Sequence, residues 1–298
     1  MPNGGQGPKL HLMEPGQYIA LEDRGLLAVS GPDARSFLQP LVSNDIEKVS
    51  AATAIYATLL TPQGKFLHDF FICAIGDTLL FDCEAARIDD LQRRLTFYRL
   101  RADAKIENWS ECYRVFALIG AGSPPVAGGV VYADPRLGAM GARAILPRDG
   151  AVAALEAAGL TAAPAEDYER LRLAHGLPDG SRDIQVEKGF LLENGIDDLH
   201  GVDFEKGCYI GQELTARTKH RATIRKRLLR VDIDGPLPPP GAPIMLGDKQ
   251  AGEMRSGLDR TGLALLRLEM IDQAASTGEP LTCADATLTP VKPDWARF

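Results

Sequence analysis

Between residues 54 and 101 the chain reads as a run of strands followed by a helix, which commits this stretch to a sheet with one covered face. Ile55-Tyr-Ala-Thr-Leu-Leu, Phe66-Leu-His-Asp-Phe-Phe-Ile-Cys-Ala-Ile and Thr78-Leu-Leu-Phe-Asp-Cys are short apolar runs, the first two separated by the turn Thr61-Pro-Gln-Gly. An antiparallel meander is their natural pairing. Residues 85–101 then place Ile88, Leu91, Leu95 and Tyr98 at three- and four-residue intervals with charges between them, an amphipathic helix for the sheet to bury.

Upstream, the first ten residues or so read as a flexible leader. Tyr18-Ile-Ala-Leu-Glu and Gly25-Leu-Leu-Ala-Val-Ser read as a hairpin, and Pro32-Asp-Ala-Arg-Ser-Phe-Leu-Gln starts a helix. Downstream come a strand from Tyr113, a helix over residues 148–158 stopped by Gly159, and a helix over residues 165–175 closed by Gly176 and Pro178. Residues 1–222 therefore form one intertwined α+β body with two subdomains. Residues 223–298 alternate from Arg227, turn through a Pro-rich stretch and show no helix after 226, so they read as a small all-β unit, barrel or sandwich.

A chain of 298 residues that is 45% hydrophobic can bury a sizeable core. The N-terminus lacks a basic stretch followed by an apolar one, and no run approaches the ~18 apolar residues of a membrane span, so neither export nor membrane insertion is expected. Cys73, Cys83, Cys112, Cys208 and Cys283 are scattered and form no C-x-x-C pair; no disulfide framework or metal site is expected, and a reducing cytoplasm fits. A net charge of -7 argues against nucleic-acid binding by bulk charge. The charge is uneven, however: Lys206, Arg217, Lys219, Arg221, Arg225, Lys226, Arg227 and Arg230 face a single acid, Glu213, as a local basic stripe or a solvated strand or loop face.

That stripe adjoins the segment Lys206-Gly207-Cys208-Tyr209-Ile210-Gly211-Gln212-Glu213. A cysteine reacts or ligates as its thiolate, which nearby cations favour, and Lys206 and Arg217 are candidates for that role. Gly207 and Gly211 permit turns or close approach, and Gln212 and Glu213 supply directional polar groups. The other four cysteines read as small buried hydrophobes.

Lys206-Gly-Cys-Tyr-Ile-Gly-Gln-Glu-Leu-Thr-Ala-Arg217, preceded by Gly201-Val-Asp-Phe-Glu, resembles the signature of the YgfZ-like folate-binding proteins, whose mitochondrial members assist iron-sulfur cluster assembly. The resemblance continues through Phe37-Leu-Gln-Pro-Leu-Val-Ser-Asn-Asp45, Tyr56-Ala-Thr-Leu-Leu-Thr-Pro-Gln-Gly64, Arg170-Leu-Arg-Leu-Ala-His-Gly-Leu-Pro178 and Ile224-Arg-Lys-Arg-Leu228, so it covers most of residues 18–230. One departure is Ala222, where the family usually has glycine. The resemblance implies the three-domain α+β arrangement of the glycine cleavage aminomethyltransferase (T-protein), with antiparallel sheets, helices and a C-terminal β-barrel around a tetrahydrofolate pocket.

It also implies site residues. Asp69 falls where T-protein relatives carry an acid near the folate, and Arg24 and Tyr168 where YgfZ-like relatives contact the pterin or glutamyl tail. Lys206, Gly207, Tyr209, Gly211, Gln212, Glu213 and Arg217 are expected to complete the cofactor site, with Cys208 as the reactive atom at its mouth and the stripe meeting the anionic tail. Each has an ordinary alternative: Asp69 as an exposed-face acid, Tyr168 as core, Arg24 as a turn residue, and Asn44 and Asp45 as helix caps. The implied function is a monomeric accessory factor that binds tetrahydrofolate or a derivative and serves iron-sulfur assembly proteins and client enzymes. The competing reading is a folate-dependent aminomethyl or one-carbon transferase with Asp69 acting on an amine; such transfer gives no reason for a thiol.

Overall fold

The computed structural model describes residues 16–221 and 223–298, so the expected leader and the Ala222 departure lie outside the described residues. Along the body run β1 (Gln17–Ala20), β2 (Arg24–Ser30), α1 (Ala34–Leu38), β3 (Ile55–Leu60), β4 (Phe66–Ile75), β5 (Thr78–Glu84), α2 (Ile88–Arg99) and β6 (Lys105–Asn108). There follow β7 (Tyr113–Ile119), β8 (Val130–Ala133), β9 (Ala142–Pro147), α3 (Ala151–Ala157), β10 (Thr161–Ala162), α4 (Ala165–Ala174), α5 (Gly180–Asp183) and α6 (Gln212–Arg221). The C-terminal unit holds β11 (Lys226–Asp234), β12 (Pro243–Leu246), β13 (Lys249–Leu258), β14 (Thr261–Arg267), α7 (Leu268–Thr277), β15 (Leu281–Cys283) and β16 (Ala286–Val291).

The body contains two five-stranded sheets, β3-β4-β5-β2-β6 and β10-β1-β7-β9-β8, and the six C-terminal strands close into a barrel. This is the expected α+β architecture. The meander β3-β4-β5 is antiparallel throughout, and α2 buries Ile88, Leu91 and Leu95. Among the described residues no helix is long and apolar enough to cross a membrane.

Two local expectations are corrected. Strands β1 and β2 do not form a hairpin: β1 pairs with β7 and β10, whereas β2 pairs with β5 and β6. Their short link crosses from one sheet to the other, so strand partners here are set by tertiary register rather than by the turn. The barrel unit also carries a helix, α7, which packs Met270, Ile271 and Ala274 against the barrel core and ends at Gly278 in the left-handed region.

Strand β4 shows that both faces of the first sheet are covered. All but its last residue are buried, because helices cover one side and the second sheet the other. Phe70, Ile72 and Ala74 join the helix-side core; Phe71 and Cys73 join the core between the sheets. With a period of two, Asp69 shares the inter-sheet face with Phe71, as Asp82 does with Leu80 and Arg24 with Leu26.

One guanidinium ties the body to the barrel. Buried Arg172 of α4 donates to Glu169 through Nε and Nη2, to Leu177 O and Asp183 Oδ2 through Nη1, and to Ser256 Oγ of β13 through Nη2, at 2.6–3.0 Å. All five N–H donors of an arginine are thereby satisfied. Asp183 adds a second link by accepting from the Ser256 amide at 3.1 Å.

Candidate functional site

Period-two alternation concentrates charge in the inter-sheet core. From the first sheet come Arg24, Tyr56, Asp69, Phe71 and Asp82; Tyr132 and Arg143 come from β8 and β9, Arg136 from the loop between them, and Tyr168 from α4. Fully buried Asp82 is the centre of the network. It accepts from Arg24 Nε at 2.6 Å through Oδ1, and from Arg143 Nε at 2.7 Å through Oδ2, while its backbone carbonyl accepts from Arg24 Nη2 at 2.7 Å. Burial opposes its charge, but Arg143 and Arg24 outweigh burial and hold the carboxyl below its ordinary range.

Asp134 accepts from Arg136 Nε and Nη2 at 3.1 and 2.8 Å, and the Tyr168 hydroxyl accepts from both Arg136 and Arg143 at 3.1 and 3.0 Å. The Arg143, Arg136 and Arg24 guanidiniums lie 4.1, 4.7 and 5.7 Å from the Phe71 ring centroid. Asp69 accepts from the Tyr56 hydroxyl at 2.9 Å, and burial pushes its carboxyl above the usual range even though Arg24 pulls the other way. These groups border a cavity of about 370 Å³ lined by Arg24, Asp69, Phe71, Arg136, Arg143 and Tyr168, with Leu258 contributed by the barrel.

Arg24, Asp69 and Tyr168 are thus brought to one cavity, and Tyr168 also packs against the apolar core, the ordinary alternative for it. Arg24 and Asp69 are buried, and Tyr168 presents its hydroxyl to two cations. Phe71, Arg136 and Arg143 were missed. A signal was available for Arg143 and Asp82, since each is a single charge inside an apolar strand, Ala142-Arg-Ala-Ile-Leu and Leu79-Leu-Phe-Asp-Cys.

The cysteine segment lies elsewhere, which corrects the expectation that Cys208 sits at the mouth of this cavity. Lys206, Gly207, Cys208, Tyr209, Gly211, Gln212, Glu213 and Arg217 are all absent from its lining. The physical reason is the docking of Gly211 on the β3–β4 turn: its φ is +83°, and a Cβ there would meet Thr61 O at 2.7 Å and Gly64 Cα at 3.0 Å. From Gly64 to Asp69 is roughly 15 Å along the strand. Cys208 is exposed, Tyr209 is buried beneath it, and Gln212 and Glu213 open α6. Gly207, at φ +95° with open space around it, shapes the turn.

Lys206 does not serve the thiol. Its Nζ donates to the carbonyls of Gln39, Val42 and Asn44 at 2.6, 2.7 and 2.8 Å, which uses all three donors of an ammonium. Burial draws its pKa down to about 8. Asn44 Nδ2 donates in turn to Tyr56 O and His200 O, and Asp45 caps the turn Ile46–Lys48 by accepting from Glu47 N. The Cys208 loop is therefore clasped to the segment before β3. Lys206→Met is expected to destabilise the protein by about 2 kcal/mol, because the clasped carbonyls lose their donor; urea unfolding measures it, and a change within about 0.5 kcal/mol counts against the clasp.

The basic stripe is not one surface. Lys219 pairs with Asp197 at 2.7 Å, buried Arg227 donates to Leu192 O at 2.7 Å, and Arg230 is held by Asp232 and Ala174 O. Cys73, Cys83 and Cys283 are buried as expected, but Cys112 is exposed, because it closes a turn by donating its amide to Trp109 O.

Comparison with known proteins follows this division. A family described as "GCVT N-terminal domain" matches residues 20–145, and one described as "CAF17, C-terminal beta-barrel domain" matches residues 225–298. The chain is 36% identical over 308 residues to "Iron-sulfur cluster assembly factor IBA57, mitochondrial" of Homo sapiens, covering 92% of this chain and 84% of that protein. Identity to its Mus musculus counterpart is 34% over 307 residues, with the same shares covered. The glycine cleavage system aminomethyltransferase T from Bartonella henselae superposes with a TM-score of 0.75 over 95% of this chain and 86% of that one; at 15% identity this shows the fold. The relatives' names place them in mitochondria, which overturns the expectation of a cytoplasmic protein. A 36% identity sustained over nearly the whole length, on an aminomethyltransferase-like body and barrel, shows that the chain belongs to the IBA57 family of iron-sulfur cluster assembly factors.

Proposed function

We propose that the protein is an accessory factor of iron-sulfur cluster assembly that holds a reduced folate between its two sheets and engages clients through Cys208. The assembly role is carried by the near full-length match to relatives so named, and the long Lys206–Arg217 motif supports a YgfZ-like use of the thiol. The chemistry of the cavity fits a reduced pterin. Asp69 offers a carboxyl to an N–H-rich edge, Phe71 offers aromatic surface, and Nη1 of Arg24 and of Arg136 has no protein hydrogen-bond partner among the described residues. Its volume lies in the range of small-molecule sites. When bound, the folate supplies one-carbon or redox chemistry; the chain's own residues bind and orient it and exclude water.

Cys208 works on a separate surface. One thiolate cannot hold a four-iron cluster, which takes about four, and among the described residues no group of three or more His, Cys, Asp or Glu is placed to hold a metal. Cys208 therefore acts as a transient ligand or contact toward a cluster carried by a partner.

Tetrahydrofolate at about a hundred times its Kd is expected to stabilise the protein by about 2.7 kcal/mol, read as a rise of several degrees in melting temperature. Unchanged melting at saturating ligand would remove folate from this reading.

A further inference from the structure

The charges of the inter-sheet cavity are sorted by depth. The Arg24, Arg136 and Arg143 side chains are at most 7% exposed, and each is paired with a buried carboxylate, Asp82 or Asp134. The rim is different. Glu22, Asp23 and Glu166 are exposed there, and Glu169 and Asp179 both bind Arg182, the one exposed cation among the described lining residues.

A second cavity of about 330 Å³ adjoins the first and shares Glu22, Asp23, Arg24, Asp179 and Arg182 with it. It adds Glu84 and no further cation. A ligand tail leaving by the rim or by the second cavity thus meets carboxylates that outnumber cations.

We propose that this acidic surround makes the protein selective for folates with a short tail, discriminating against polyglutamylated forms by charge. The inference rests on the folate reading above and deepens it. Each added glutamyl residue brings another carboxylate past Glu22, Asp23 and Glu166, whose ion pairing among the described residues is a 3.8 Å approach of Arg114 to Glu22. Exposed like charges each contribute a fraction of a kcal/mol, so the effect accumulates with tail length and fades with salt.

The test is titration of the full chain with monoglutamyl and triglutamyl tetrahydrofolate, followed by calorimetry at low and high ionic strength. At low salt the triglutamyl form is expected to bind about tenfold more weakly, a gap that shrinks several-fold near ~0.5 M salt. The combined variant Glu22→Gln, Asp23→Asn, Glu166→Gln should narrow the low-salt gap in the same way; circular dichroism and melting establish that it is folded. Equal or tighter triglutamyl binding by the wild type overturns the inference. So does a gap that neither salt nor the variant moves, because the tail is then excluded by shape. Failure of both ligands to bind sinks the folate reading itself, a result distinct from either of these.

Discussion

Asp82→Ala is expected to cost the folded state about 3–5 kcal/mol, because it strands two buried guanidiniums at once. Arg24 and Arg143 both depend on this carboxylate, and their side chains are only 7% and 2% exposed at the cavity wall. Asp82→Asn should lose less, since the amide oxygen still accepts one donor. Urea unfolding of the three proteins measures the order, and a loss under about 1 kcal/mol in the alanine variant would show that the cations are satisfied some other way.

The same carboxyl gives a pH signature. Its pKa is lower in the folded state than its ordinary value of 3.8, so its contribution is complete above the unfolded value and lost as pH falls through the folded one. The stability gap between wild type and Asp82→Asn should therefore close as pH drops below about 4. Asp69, raised by burial, runs the opposite way and is present in both proteins, coupled to Asp82 through their shared partner Arg24.

Cys208→Ser is expected to abolish rescue of four-iron enzyme activities in a deletion strain while leaving stability within about 0.5 kcal/mol of wild type. The side chain is exposed and has no hydrogen-bond partner among the described residues, so little folded-state energy rides on it. A serine hydroxyl, however, does not ionise near neutral pH and is a poor ligand for iron beside a thiolate. Full rescue by the serine variant would take the thiol out of the mechanism, and intact cluster enzymes in the deletion strain itself would demote the assembly role.

Some of this was legible in the sequence. The β3–β5 meander and α2 declare themselves through local periodicity, which a reader of residues 54–101 can follow without tertiary knowledge. The separation of β1 from β2 cannot be read that way, because Leu21 and Arg24 flank a short link whether it joins partners or crosses between sheets. The same holds for the site. Arg24, Asp69 and Tyr168 could be named by resemblance, but their assembly with Arg136 and Arg143 depends on two sheets meeting face to face. The displacement of Cys208 from the cavity follows from Gly211 seating on Gly64, a contact between residues 147 positions apart in sequence.

The Arg172 junction bears on how anything reaches the cavity. Leu258 of the barrel forms part of the wall, so swinging the barrel aside would be one way in. Such a hinge would tear a buried cation from Ser256 and disturb Asp183 in the same movement, a penalty that strongly disfavours opening by whole-domain rotation. Ligand traffic is left to side chains at the entrance, and exchange should then be governed by fast rotamer motion around Arg182 and Glu169 rather than by slow rigid-body gating.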